Sequence, residues 1–408
     1  MKVRRTRALA LGASAALLLA ACGSDDGGGD TEAGGGSSSS ESSGGGSGEG
    51  GGSLEQTEFF VQEDYERQLA LADMEPEGPA DQPWLQKLDP GEEVDTSEFA
   101  VDGTGTVCFS NISEGNGWRA QGATTAQAAA EGLENITLEY SDAQGDDNAQ
   151  ISDIESFVDS GSCDALVVAP FTADALTPAV QLACDAGLPV VVLASPVNTD
   201  CQTTYVSSVG GYLYGAQGAQ AIVDNVDSGA NVLALRILPG VAELEWRWGA
   251  AVEVFNSSDV NVLSTEFTEQ DPTATKQIVT DAIQRFGQID AVWMDAGAAA
   301  IPTIEAFEDA GLDVPFIVGE DENQFLQAWR DDELDAVAPT FPNYQWRTAV
   351  EAASDILEGT PVPSRWVVPQ PLVDSAEQRD ELIADDLGPL FYALCGCRDL
   401  DTFPSAYQ

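Results

Sequence analysis

The chain has 408 residues, with 16 Lys plus Arg against 69 Asp plus Glu and no histidine, for a formal charge of −53. Such acidity excludes nucleic acid as a partner, and it self-repels unless salt screens it within about 8 Å, which points to a saline environment. Without histidine there is no His-dependent triad, His-ligated zinc site or imidazole base.

Met1 to Ala21 reads as a targeting segment, in which Lys2, Arg4, Arg5 and Arg7 form a basic head. Ala8 to Ala21 is apolar but too short to span a bilayer. The run ends in Leu19-Ala20-Ala21-Cys22-Gly23, which resembles the lipobox of bacterial lipoproteins and implies cleavage before Cys22 and acylation of its thiol. A plain secretory signal with a chance cysteine is the alternative. Cleavage would leave 12 Lys plus Arg against the 69 acids, a net −57. Residues 22–53 are Gly, Ser, Asp and Glu almost throughout, as in a flexible tether. Residues 54–103 form an N-terminal extension with apolar Phe59, Phe60, Leu69, Trp84 and Leu85, interrupted by Pro76, Pro79, Pro83 and Pro90. It should lie on the folded region rather than form a domain of its own. About 350 residues remain beyond the tether, enough for two lobes with real cores.

Thr106 to Phe109 is the first expected strand, followed by a Gly- and Asn-containing turn and an Ala-rich helix from Trp118 to about Gly132. Ile136 to Tyr140 is a strand, and Ile151, Ile154, Phe157 and Val158 mark the next helix. Ala165 to Ala169 is apolar without alternation, as in a strand covered on both faces. Thr172 stands at an N-cap position, Leu176, Ala179, Val180 and Ala183 recur at helical spacing, and Val190 to Leu193 resumes a buried strand. A short strand follows near Tyr205 to Val209. Parallel strands joined through a helix need a right-handed crossover, and ligands bind outside their carboxyl ends, so Ala169-Pro170 and Ala194-Ser195 should face a crevice.

A second series follows, with strands at Val232–Ile237, Val260–Phe267, Ala291–Met294, Phe316–Val318 and Ala336–Ala338. Helices are expected near Glu243–Phe255, Ala274–Phe286, Ile301–Ala310 and Phe325–Arg330, then a helix over Tyr344–Leu357 and a final strand over Trp366–Val373. Two such series imply an α/β protein of two doubly wound parallel-sheet lobes, with a ligand cleft between them.

Six cysteines follow Cys22, an even number in an exported chain, so disulfides are expected. Cys395-Gly396-Cys397 has no second close pair to complete a metal tetrahedron. Cys184 ends a helix returning to the strand starts and Cys201 lies in the loop that comes back there, so a Cys184–Cys201 bridge is expected, with Cys163 a competitor for either. The partners of Cys108, Cys395 and Cys397 stay open.

Six segments carry a family resemblance by their order and spacing: Gly115-Asn116-Gly117-Trp118-Arg119, Asp142 to Asp146, Asp164 to Pro170, Ala186 to Val191, Val318-Gly319-Glu320-Asp321 and Leu357-Glu358-Gly359. The region from about Gly105 to Val373 resembles type I periplasmic binding proteins of the ribose-binding family, the extracytoplasmic solute receptors of ABC importers. The resemblance implies three hinge crossings, near Val209, Thr340 and Pro369. Lobe 1 would then be 104–209 plus 341–369, lobe 2 would be 210–340 plus 370–376, and 377–408 a C-terminal tail. It also implies a monomer with no cofactor and no catalytic residue.

The resemblance places Asn116, Trp118 and Arg119 on the ligand. An aromatic face suits the C–H surface of a sugar ring and Arg offers a fork of donors; a Trp118 that merely staples the helix start is the alternative. Asp321 occupies the position of the family's ligand aspartate, where a carboxylate would accept from adjacent hydroxyls. Arg247 lies near the arginine of the second-lobe helix, and Thr340 falls at a hinge position where many relatives carry Gln or Asn. Two departures stand out. Ala194-Ser195 replaces an Asp-Arg pair, leaving Ser195 as the polar group there, and Ala296-Gly297 replaces Asn-Asp. Asp295, Glu320 and Glu322 are the candidates to substitute, although Glu322 is equally explained as solvated surface. Asp142, Asp146 and Asp147 suit turn capping better than a cation site.

The implied function is a receptor anchored through Cys22 to the outer face of the cytoplasmic membrane, or periplasmic. It would close on a small polar solute, a sugar or polyol, and deliver it to an ABC permease. The alternatives are a sensor presenting a signal molecule to a membrane receptor, or a receptor for a non-sugar solute. An exported enzyme would lack His, an activated Cys and a nucleophile elbow. A transcriptional regulator is excluded by the export signal and the absent DNA-binding headpiece.

Overall fold

The structure is a computed structural model that describes residues 53–408. The signal segment, Cys22 and the tether up to residue 52 lie outside the described residues. The extension contains one helix, α1 (Gln62–Ala72), and a two-residue strand, β1 (Glu93–Val94). The helix was not expected; it lies ahead of the first proline, beginning after Val61 and ending before Pro76.

The first lobe runs β2 (Gly105–Asn111), α2 (Gly117–Glu131), β3 (Ile136–Asp142), α3 (Asp147–Ser160), β4 (Ala165–Ala169), α4 (Ala173–Asp185), β5 (Val190–Leu193) and β6 (Thr204–Ser207). Local chemistry sets the boundaries. Asn116 caps α2 by accepting the Arg119 amide at 2.9 Å, and Asp146 caps α3 through the Asn148 amide at 2.9 Å. Asp142 likewise accepts the Gln144 amide at 3.2 Å, so both acids are turn caps. Among the described residues no cluster of three His, Cys, Asp or Glu is poised to hold a metal.

The second lobe runs α5 (Gly211–Asn225), β7 (Asn231–Arg236), α6 (Ala242–Asn256), β8 (Asn261–Phe267), α7 (Pro272–Phe286), β9 (Ala291–Met294), α8 (Ala300–Asp309), β10 (Phe316–Val318), α9 (Asn323–Asp331) and β11 (Ala336–Pro339). The chain then returns to the first lobe for α10 (Gln345–Glu358), β12 (Val362–Pro363) and β13 (Arg365–Val367). It crosses once more to β14 (Leu372–Val373) and the short helix α11 (Ala376–Leu382). The single strand expected over Trp366–Val373 is therefore two strands in different sheets. Pro369 and Pro371 lie between them, and neither can donate to a ladder.

The sheet orders are β13-β6-β5-β4-β2-β3 and β14-β11-β10-β9-β7-β8, parallel throughout except where β14 meets β11. Both are doubly wound, and the chain passes between them after Ser207, after Pro339 and after Val367. Each sheet is buried on both faces. In lobe 1 Phe109, Val167 and Val191 pack toward Trp346 and Ile356 on one side, and Leu166, Val168 and Val190 toward Ile154, Leu176 and Val180 on the other.

Both terminal segments cover the lobes. Gln56 donates to the Gly249 carbonyl on α6 at 3.0 Å, Val61 donates to the Tyr212 hydroxyl on α5 at 2.8 Å, and β1 pairs with β12. Cys108 with Cys163, Cys184 with Cys201, and Cys395 with Cys397 stand at disulfide distance. Cys163, just ahead of β4, therefore pairs with Cys108 on the adjacent strand β2. Among the described residues no helix is long and apolar enough to cross a membrane.

Candidate functional site

A cavity of about 1080 Å³ opens between the lobes, at the carboxyl ends of both sets of strands. That is just above the range of about 300–1,000 Å³ usual for small-molecule sites. Its lobe 1 wall comes from the turn before α2, the segment after β4 and the segment after β5. Its lobe 2 wall comes from the loop after β7, the exposed face of α6, and the segments after β9 and β10. A smaller cavity of about 570 Å³ shares Ala194, Pro196, Glu243, Trp246 and Phe341 with it, and is walled on its far side by Asp64, Arg67 and Gln68 of α1.

On the lobe 1 wall, Asn116 spends its side-chain oxygen on the helix cap, which orients the first turn. Trp118 donates its indole N–H to the Phe341 carbonyl at 2.8 Å and lies edge-on to Trp346. It thus lines the cavity and staples the helix start at once, with its donor already used. Arg119 is 8% exposed; its Nη2 donates to the Pro170 carbonyl at 3.4 Å, its guanidinium lies over Phe171, and its Nη1 is buried without a partner. Burial pulls its pKa down to about 10, so it stays charged at neutral pH. Ala194 holds a left-handed backbone (φ 64), turning the chain so that Ser195 lines the cavity.

On the lobe 2 wall, Arg247 is held by the Asp295 carbonyl at 2.6 Å and by the faces of Tyr214 and Phe341, 4.1 and 4.8 Å away. Burial lowers its pKa, but Tyr214, Glu320, Glu243 and Asp295 outweigh that and hold it above the ordinary value. Glu320 is 4% exposed and accepts the Gly297 amide at 2.9 Å; burial pushes its pKa up to about 8 against the pull of Arg247. Glu322 accepts from Gln324 at 3.0 Å and from the Tyr392 hydroxyl at 3.0 Å.

The structure thus brings Asn116, Trp118, Arg119, Ser195 and Arg247 to one cavity and leaves three other candidates off its wall. Asp295 turns both carboxylate oxygens to the Ile237 amide, at 2.9 and 3.1 Å. Thr340 donates to the Pro371 carbonyl at 2.5 Å, tying two hinge crossings together. Asp321 is fully buried and accepts the Leu394 amide at 2.8 Å, while its backbone carbonyl accepts the Ala393 amide at 3.0 Å. The acids that reach the cavity are instead Glu320, Glu322, Glu243 and Glu305, the last paired with Lys276 at 3.0 Å. Glu322 is 3% exposed, so the solvated-surface alternative does not describe it.

Several wall residues had not been singled out. Glu243 and Trp246 precede Arg247 by four and one positions on α6, a spacing that offers one helix face to the cleft. Phe171 follows the proline that ends β4, and Phe341 follows the hinge threonine; both positions are readable as strand ends. Leu390 and Tyr392 come from the tail and carry no local signal at all.

Residues 107–361 match the family model described as periplasmic binding protein domain. The chain is 30% identical over 224 residues to the ribose import binding protein of Bacillus subtilis, covering 54% of this chain and 72% of that relative. It is 27% identical over 223 residues to the galactofuranose-binding protein of Escherichia coli, covering 53% and 70% respectively. Its fold resembles that of an ABC transporter solute binding protein from Bacillus halodurans solved with bound myo-inositol, with a TM-score of 0.61 at 21% identity, covering 69% of this chain and 98% of that one.

Proposed function

We propose, from the premise that this chain belongs to the periplasmic binding protein family, that it captures a sugar or polyol between its lobes and passes it to an ABC permease. Such families act outside the cytoplasm as binding proteins rather than enzymes. The observation that carries the ligand class is the buried, unpartnered Nη1 of Arg119 on one wall with Glu320 and Glu322 on the other. A hydroxyl donates and accepts at once, so one polyol satisfies a guanidinium and two acidic side chains together, whether an acid is ionised or protonated. Trp118, Phe171, Trp246 and Phe341 offer aromatic surface to its C–H faces.

Calorimetry and thermal shift in high salt, across pentoses, hexoses and polyols with small cationic solutes as the counter-class, test this reading. A bound ligand in hundredfold excess over its Kd stabilises the folded state by about 2.7 kcal/mol. Arg119→Met should abolish that shift. Response to cationic solutes alone would overturn the sugar assignment. Anchoring through Cys22 is part of the same proposal: Cys22→Ala should move the protein from membrane to soluble fractions, because the lipid chains supply the attachment.

A further inference from the structure

The tail lies beyond the residues that match the family, yet it runs between the lobes along the edge of the cavity. On lobe 2, Asp321 takes the amides of Ala393 and Leu394, Asn323 donates its amide to the Phe391 carbonyl at 2.7 Å, and Gln324 donates its own to Pro389 at 2.9 Å. On lobe 1, Gln121 holds the Tyr392 backbone from both sides, at 2.8 Å to its carbonyl and 2.8 Å to its amide. The Tyr344 amide donates to the Leu394 carbonyl at 3.0 Å, and Arg347 reaches the Gly396 carbonyl at 2.8 Å. Gly117 lies against the segment: a Cβ there would stand at contact distance, 3.5 Å from Leu390 and 3.7 Å from the Tyr392 ring.

This seating has two consequences for the cleft. It engages one Asp321 carboxylate oxygen through the Leu394 amide, and the other is buried without a partner off the cavity wall. It also brings Tyr392 onto the cavity wall with its hydroxyl donating to Glu322 Oε1 at 3.0 Å. The other Glu322 oxygen is oriented by Gln324. Each Glu322 oxygen keeps a free lone pair, and the phenol oxygen keeps its acceptor sites.

We infer that the tail is part of the binding site, and that Tyr392 with Glu322 forms a specificity-determining pair that reads one hydroxyl of the ligand in place of the displaced Asp321. This rests on the sugar or polyol reading above. The pair presents acceptors, so it selects a ligand with a donor at that point and discriminates against the analogue lacking it, whose binding would leave the pair unsolvated and unpaired.

The test is calorimetry with pentoses, hexoses and polyols, followed by the monodeoxy analogues of whichever sugar or polyol binds. Tyr392→Phe keeps the ring and the tail's backbone bonds, so the variant should fold as the parent does, with a melting temperature lower only by the loss of the hydroxyl's bond to Glu322. It should lose roughly 10- to 100-fold in affinity for the parent ligand. One deoxy analogue should bind parent and variant alike, and Glu322→Gln should single out the same analogue. A purely structural tail would lower affinity for all analogues equally, and that result overturns the inference. Unchanged affinity in Tyr392→Phe overturns it while the binding reading stands. A parent protein that binds no sugar or polyol overturns both.

Discussion

Gly297 and Glu320 occupy one another's space: the Glu320 carboxylate accepts the Gly297 amide at 2.9 Å, and a Cβ at 297 would meet the Glu320 Cβ at 2.7 Å. A side chain at 297, such as the second residue of the Asn-Asp pair that the resemblance has there, would therefore collide with Glu320. The Glu320 side chain, from the neighbouring strand end, fills the room that a side chain at 297 would need.

Gly297→Ala should therefore push Glu320 from its place, lowering both stability and ligand affinity. The overpacking cost is about 1–3 kcal/mol. Denaturant unfolding and calorimetry measure the two effects separately. A variant with unchanged affinity would show that Glu320 does not contact the ligand.

Burial raises Glu320 to about 8 and Asp295 and Asp321 each to about 7. In the unfolded chain these groups titrate near 4. Between those values the folded state holds more protons than the unfolded one, so their contribution is complete below about pH 4 and is lost as pH rises through about 8. Melting temperature at fixed high salt should fall from mildly acidic to mildly alkaline pH. Glu320→Gln should flatten that fall, and an unaltered slope would remove Glu320 as its source.

Gly215→Ala should be severe. A Cβ there would overlap the Arg247 carbonyl oxygen, where α5 packs on α6. The two helices must separate, carrying Glu243, Trp246 and Arg247 off the cavity wall. The expected outcome is a melting temperature lower by several degrees together with loss of ligand binding. Full retention of both would mean that the helices do not touch at that point.

Peptide mapping of unreduced protein should recover Cys108 with Cys163, Cys184 with Cys201 and Cys395 with Cys397. Replacing Cys184 and Cys201 by Ser should cost about 3 kcal/mol in the chain-entropy model. Recovery of Cys184 as a free thiol would remove that bridge.

What the sequence by itself determined was the repeated βα architecture. Ala165–Ala169 and Val190–Leu193 are apolar because both faces are covered, and caps such as Asp142 and Asp146 act within two residues of themselves. Those signals are local, as is the Gly115 to Arg119 stretch that lines the cavity. Helix α5 escaped notice because Gly, Ala, Tyr and Leu are buried around most of its circumference, which erases the periodic stripe that marks a surface helix. Tertiary structure alone decided which carboxylates face the ligand cavity. Asp321 and Glu322 are adjacent in the chain and equally acidic; one is taken by the Leu394 amide and the other meets the Tyr392 hydroxyl. Those partners lie some seventy residues away in a segment without pattern of its own, and contacts so distant leave no trace in the sequence around either acid.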